Sequence, residues 1–364
     1  MFDLDDFLTK AHKAKASDVH LSCGKNPSLR INGEIYKITA PAIEASDIKN
    51  ILEQTVPKEY GVDISTLQDL DYIYEVKGVS RFRVNFCRDI FYGKLTFRVI
   101  PYHIKTLDEL KLPEFLKTYT QFNNGIVFVT GATGSGKSTT LSSLIEIINE
   151  TQKKHIITIE DPVEFVHDDK KSIVTQRSLD IDVKDFKTGI KYALRQDPDI
   201  MLVGEIRDLD TLLSAIEASE TGHLVFSTLH TNGTVAALDR LKGFLPESGQ
   251  ELFLKRLANC IRGIVHQQLV PSTNKGVLVP ALEILTFTST IIDYVKNNKL
   301  KEIYPIMQKT TQQNLTTMNS SLYALYQKGV ITKETAIEYS FEKIEIEQMI
   351  KGIYRNAIAE ETLL

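Results

Sequence analysis

The stretch that most restricts what this chain can fold into is Gly125–Ser138, GIVFVTGATGSGKS. Residues 131–138 read Gly-Ala-Thr-Gly-Ser-Gly-Lys-Ser, which is G-x-x-x-x-G-K-[ST] directly after an apolar strand and directly before a helix. Glycines let successive backbone N–H groups turn inward around phosphate oxygens, and the following helix N-terminus adds positive potential. Lys137 is placed to reach β- and γ-phosphates, and the Ser138 hydroxyl is placed to ligate Mg²⁺. The candidate ATP-binding set is therefore Gly131, Thr133, Gly134, Ser135, Gly136, Lys137, Ser138 and Thr139. The alternative is a glycine-rich turn carrying a surface lysine. Eight matching residues in the required strand–loop–helix context disfavour it.

Such a loop needs a parallel sheet behind it, and the sequence from Gly125 supplies one. Short apolar runs at Ile126–Thr130, His155–Ile159, Ile200–Val203 and Leu224–Thr228 alternate with helical patterns at 137–150, 183–195 and 209–219. From about residue 246 the pattern reads as mostly helical to the end. Residues 1–100 read differently. An amphipathic helix (Leu4, Phe7, Leu8, Ala11) runs into a strand at Asp18–Ser22. Asn32-Gly33 marks a hairpin after Ser28–Ile31, and Tyr72–Val76, Ser80–Phe86 and Lys94–Ile100 alternate with period two. The expected organisation is an N-terminal α+β domain (1–100), a linker (101–113) and a P-loop α/β domain (114–364) with a helical C-terminal region at about 246–364. The tail carries Ile346, Ile350, Ile353 and Ala357 at helical spacing, for packing on its own subunit or docking a partner.

Three further segments follow the P-loop. The run Ile200–Val203 leads into Gly-Glu-Ile-Arg-Asp, which puts Glu205 at the carboxyl end of a parallel strand, where open α/β sheets bind ligands. Glu205 is the candidate Mg²⁺-linked carboxylate. Arg207 is either part of the nucleotide site or a local ion-pair partner. In HIITIEDPVEF, Glu160, Asp161 and Glu164 stand at another strand end. They can hold a metal or orient an attacking water, or serve only as turn residues. In GHLVFSTLHTN, His223 and His230 are seven apart, a poor spacing for one zinc ion. Each reads as a hydrogen-bonding residue or, more sharply, as a γ-phosphate sensor.

Charge and cysteine usage exclude other classes. Residues 1–100 carry 14 basic and 14 acidic side chains and the rest 29 and 33, so neither part has the basic excess that nucleic-acid binding favours. Cys23, Cys87 and Cys260 are far apart, which argues against a disulfide framework or a four-cysteine zinc site. No apolar run reaches the roughly 18 residues of a membrane span. The N-terminus, MFDLDDFLTKAHKAK, lacks a signal-peptide core, so a cytoplasmic protein is expected.

Taken together, the segments resemble the PilT/PilU family of type IV pilus motor ATPases, within the secretion-ATPase superfamily. ASDVHLS (16–22) is similar to the family's N-terminal signature, and RFRVNF (81–86) and FRVIP (97–101) to its second-strand region. GATGSGKS is similar to the Walker A, IEDPVEF to the Asp box, LRQDPDIMLVGEIRD to the Walker B and TGHLVFSTLHT to the His box. The chain differs at Ala132, where the family has proline, and at Ser227, where it has glycine. Thr290–Lys296 stands where principal retraction motors carry Ala-Ile-Arg-Asn-Leu-Ile-Arg, and the C-terminal text is more PilU-like. Extension and type II secretion ATPases usually carry a tetracysteine site and an extra N-terminal domain, neither of which is expected here, so those readings are disfavoured.

The resemblance implies a PAS-like N-terminal domain followed by a RecA-like ATPase domain. It implies ATP and Mg²⁺ as ligands and a homo-hexameric ring, alone or mixed with or stacked on a sibling motor. The ring would sit at the pilus base, on the cytoplasmic side of the inner membrane and against a platform protein, and would power pilus retraction and twitching motility. By position, Lys137 and Ser138 bind phosphate and Mg²⁺, Glu205 is the Walker B glutamate, Glu164 the general base, and His223 and His230 the His-box histidines. Glu160 and Arg207 are counted on the nucleotide side. Arg81, Arg83 and Arg98 match arginines through which a neighbouring subunit can complete the site. Arg81, Arg83 and Asn85 share one strand face, so a merely solvated basic face remains the other reading. Two other functions compatible with the motifs are a nucleic-acid translocase of related architecture and a nucleotide-binding adaptor in a partner motor's ring.

Overall fold

Burial alternates strictly along Ser80–Cys87, with Phe82, Val84 and Phe86 inside and Arg81, Arg83 and Asn85 half-buried. That period of two places the strand in a sheet with one covered face. A computed structural model describes residues 2–31, 33–100, 103–179, 181–310 and 314–353 of the chain. It separates two units, residues 1–103 together with 164–166, and residues 104–163 together with 167–364. Asn32 of the expected hairpin, Pro101 of the expected linker and Ala357 of the expected tail helix lie outside the described residues.

The first unit contains α1 (Leu4–Lys13), β1 (Asp18–Ser22), β2 (Ser28–Ile31), β3 (Glu34–Lys37), α2 (Ala45–Thr55), β4 (Asp69–Val76), β5 (Ser80–Cys87) and β6 (Lys94–Ile100). The strands form an antiparallel sheet in the order β3-β2-β1-β6-β5-β4. Asp3 caps α1 by accepting from the Asp6 N–H at 3.1 Å, and Leu4, Leu8 and Ala11 turn its apolar face inward. They join Val19, Leu21, Phe82, Val84 and Phe97 in one core.

The second unit is built on a sheet in the order β14-β13-β12-β7-β11-β10-β8-β9. Its elements run β7 (Gly125–Thr130), α3 (Lys137–Thr151), β8 (His155–Glu160), β9 (Ile173–Ser178), α4 (Phe186–Ala193), β10 (Ile200–Val203), α5 (Leu209–Glu220) and β11 (Leu224–Leu229). Then come α6 (Thr234–Gly243), α7 (Glu247–Cys260), β12 (Ile261–Pro271) and β13 (Leu278–Thr286). The unit ends with α8 (Ser289–Lys296), α9 (Ile303–Lys309), β14 (Leu315–Thr316), α10 (Met318–Gln327), α11 (Lys333–Glu338) and α12 (Lys343–Ile350). From β12 to β9 all neighbours are parallel, while β13 and β14 are antiparallel additions. Both faces are covered. Ile126 and Phe128 of β7 face one core, and Val127 and Val129 face another beside Leu141, Leu144 and Ile148 of α3. This explains why the strands read as continuous apolar runs rather than alternations.

Two expectations need correction. Residues 104–113 are not a free linker. Leu107 and Leu112 are buried in the core that includes α3, so the stretch belongs to the second unit. The region after residue 246 is not simply helical, because β12 and β13 form a long hairpin that extends the sheet. Its strand IRGIVHQQLVP packs on both faces and so lacks the alternation that would have announced it. The tail reading holds in part. Residues 343–350 form α12, whose Ile346 and Met349 are buried with Met318 and Leu322 of α10, while Ile353 is exposed.

Candidate nucleotide site

Parallel pairing aligns the carboxyl ends of β7, β11, β10 and β8 along one edge of the sheet. Thr130 is in register with Leu229, Val203 with Ser227, and Val203 with Ile159. The residues that follow those positions are Gly131, His230, Glu205 and Glu160, so four separate motifs meet on this edge.

The P-loop joins β7 to α3. Gly131, Gly134 and Gly136 have φ of +146°, +80° and +87°, conformations that L side chains rarely adopt. A Cβ on Gly131 would lie 2.4 Å from the Gln267 carbonyl oxygen, and one on Gly136 would lie 2.7 Å from Gln267 Nε2. Glycine is thus required at 131 by close approach to backbone as well as by φ, and at 136 by φ, where the close atom is a side-chain end. Lys137 is buried, and its ammonium donates to the Gly131 and Ala132 carbonyls at 2.8 and 2.9 Å. Ser135 Oγ is buried and has no hydrogen-bond partner. An orphaned hydroxyl inside a glycine cradle beside a lysine suits an anionic ligand, because such a group is costly to leave unsatisfied. Ser138, at the start of α3, is exposed, and Thr139 beside it is half-buried.

At the ends of β10 and β11 the acids and bases pair. Arg207 Nε and Nη2 both lie 2.8 Å from Glu205 Oε2, and His230 Nε2 lies 3.3 Å from Glu205 Oε1. Arg207 Nη1 also approaches Asp161 at 3.6 Å. Glu205 is therefore held between two bases at the strand edge. Arg207 is a local ion-pair partner, and the hydrogen bond and charge of Glu205 hold its guanidinium firmly protonated. Glu160 Oε1 accepts from the Thr158 hydroxyl at 2.6 Å and from Gln176 Nε2 at 3.4 Å. The strand itself is tied across the edge by Thr228 Oγ1 donating to the Gly204 carbonyl at 2.6 Å.

Other candidates lie elsewhere. His223 precedes β11 at its amino end and bonds the Ala218 carbonyl at 2.9 Å. It is a six-residue strand, about 20 Å, from the edge that carries the P-loop, so within its own chain it is not brought to the nucleotide side. In the first unit, Arg98 Nε donates to the buried Asp18 carboxylate at 2.9 Å. Arg83 lies 3.8 Å from Asp71 and 3.9 Å from Glu164, which groups with that unit. Arg81 holds a buried Nε without a partner.

The site has contributors that motif reading missed, because they sit on β12. His266 is fully buried, with Nδ1 3.1 Å from Thr130 Oγ1 and its ring 5.4 Å from that of Phe341. Burial pushes its pKa down to about 4, and the nearby Lys137 charge acts in the same direction. The unfolded chain protonates this imidazole near 6.5, so between about pH 6.5 and 4 the unfolded state binds the extra proton. Stability is then full above pH 6.5 and falls as the pH drops through that window, by up to about 3 kcal/mol from this group. Urea midpoints measured from pH 7.5 to 4.5 should fall less steeply for His266→Gln than for the wild type.

The match to the family described as Type II/IV secretion system protein spans residues 2–345. The chain is 37% identical over 336 residues to the type IV pilus retraction ATPase PilT of Pseudomonas aeruginosa, covering 92% of this chain and 97% of that one. It is 33% identical over 339 residues to the type IV pilus ATPase PilU of the same organism, covering 92% and 88%. The crystal structure of the pilus retraction motor PilT with bound ADP superposes with a TM-score of 0.89 at 37% identity, covering 96% of this chain and all of that one. The fold is accordingly that of the RecA-like secretion ATPases, an N-terminal sheet domain followed by a P-loop domain.

Proposed function

We propose that this chain, which belongs to the Type II/IV secretion system protein family, is an ATP-hydrolysing motor that powers type IV pilus retraction. The observation that carries the reading is the sheet edge where the Lys137 loop, Glu205 and His230 meet. Phosphoryl transfer to water needs positioning and charge stabilisation more than covalent chemistry, and these groups supply both. Lys137 would exchange its bonds to the Gly131 and Ala132 carbonyls for the β- and γ-phosphate oxygens of ATP. Ser138 and Glu205 would hold Mg²⁺, Glu205 in part through water, and the bound ion would draw charge from the transferring phosphoryl group. His230, which lies against Glu205, would report the γ-phosphate. Glu164 would orient the attacking water.

The working form would be a homo-hexamer, in which arginines 81, 83 and 98 of one copy complete a neighbour's site, alone or together with a sibling motor. It would act at the cytoplasmic face of the inner membrane against a platform protein. Among the described residues no helix is long and apolar enough to cross a membrane. The near balance of charge in both parts of the sequence favours a protein cargo over nucleic acid.

The purified protein should release phosphate from ATP only with Mg²⁺ present. Arg83→Ala should lower turnover by about tenfold or more while MgADP binding persists. Unchanged turnover would remove Arg83 from the mechanism, and no turnover in the wild type would sink the motor itself. Thr290–Lys296, which departs from the principal retraction motors, favours an accessory role. Deleting this gene and that of a sibling motor separately, and scoring fibre retraction, decides between the two.

A further inference from the structure

Lys137 and the glycines can cradle a phosphate only if the loop's peptide groups face the correct way. The parallel pairing of β12 with β7 sets His266 opposite Thr130, so the next residue, Gln267, stands opposite Gly131 at the root of the loop. Gln267 is buried. Its Nε2 donates to the Ser135 carbonyl at 2.8 Å, and its Oε1 accepts from the Thr140 hydroxyl at 2.8 Å. The amide orientation is dictated by chemistry, since the Ser135 carbonyl can only accept and so must face the NH₂ end. Gln267 thus spans the loop from its middle to the first turn of α3.

We propose that Gln267 is a positioning residue for nucleotide binding, acting by turning the Ser135–Gly136 peptide so that its N–H faces the phosphate. In a planar trans peptide the C=O and the following N–H point in opposite directions. Anchoring the Ser135 carbonyl on Gln267 therefore turns the Gly136 N–H away from β12, into the cradle. Thr140 holds the amide in the orientation that makes this possible. Gly131 and Gly136 leave the room that Gln267 occupies, because a Cβ on either would strike it. The two glycines of the motif thereby serve contact with β12 as well as contact with phosphate. The assignment rests on the nucleotide reading above.

The test measures MgADP affinity and ATP kinetics for wild type, Lys137→Ala, Gln267→Met, Gln267→Glu, Thr140→Val and the Thr140→Val/Gln267→Met double variant. Methionine fills the space of Gln267 without its hydrogen bonds. Both Gln267 variants should bind MgADP about tenfold or more weakly, with KM for ATP rising more than kcat falls. Thr140→Val should have a smaller effect that adds little in the double variant. Without nucleotide, the variants should melt within a few degrees of wild type, while saturating MgADP raises the melting temperature of the wild type far more than theirs. Wild-type ADP affinity in Gln267→Met overturns the proposal. So does a loss confined to Gln267→Glu, which would trace to the new charge, full additivity with Thr140→Val, or a large fall in melting temperature without nucleotide. Failure of the wild type to bind MgADP would be a different result and would count against the nucleotide reading itself.

Discussion

Lys137→Ala is expected to lower ATP turnover by about 10²- to 10³-fold, the loss seen when one donor to a charged transition state is removed. The position of Lys137 explains the expected size of the loss. Lys137 is buried and already points its ammonium at the loop carbonyls of Gly131 and Ala132, 2.8 and 2.9 Å away. An alanine leaves those carbonyls without their donor and the cradle without its fixed cation. Affinity for ATP and ADP should therefore fall together with turnover, since in the proposed site the lysine would contact ground state and transition state alike. Phosphate release and ADP calorimetry on the same preparation check both effects. Turnover within a few-fold of wild type would show that hydrolysis does not use this loop.

Glu205→Gln should separate the two quantities. Turnover should fall by about 10²-fold or more while MgADP still binds. The amide keeps the shape of the side chain but removes the charge that stands between Arg207 and His230 at 2.8 and 3.3 Å. The loop proposed to hold the phosphates lies between β7 and α3 and is tied to β12 through Gln267 rather than through Glu205. Single-turnover and steady-state phosphate release, read beside ADP affinity, test this. Parallel losses in binding and turnover would mean that Glu205 shapes the binding site rather than the reaction.

The placing of the candidate residues on one sheet edge was legible in the sequence because motif and element coincide. The residues of the P-loop follow the strand Gly125–Thr130, and Glu205 stands two residues beyond Ile200–Val203. A run of apolar residues that stops at glycine and acid declares both the strand and the end at which open α/β sheets bind ligands. The arginine face of β5 was legible for the same reason, since period two is visible without any partner. Three features were not. The strand Ile173–Ser178 is short and half-buried at a sheet edge, so nothing in its pattern separates it from a loop. Residues 104–113 carry proline and charge like a linker, yet Leu107 and Leu112 find a core formed by elements far along the chain. The pairing state of Arg207 and Arg98 depends on carboxylates whose distance no spacing rule gives.

The sequence by itself determined that a glycine-rich P-loop motif sits on a parallel sheet, which acids end the neighbouring strands, and that an antiparallel sheet unit precedes it. These are local matters, set by side-chain period and by glycine at positions that need it. Only the tertiary structure decided that His230 joins Glu205 while His223 lies at the other end of the same strand. It also decided that β12 returns beside β7, which brings His266 against Thr130 and Gln267 against the P-loop. The physical reason is that a parallel strand pair is closed by a connection over a hundred residues long here, and its register is chosen by packing on both faces of the sheet.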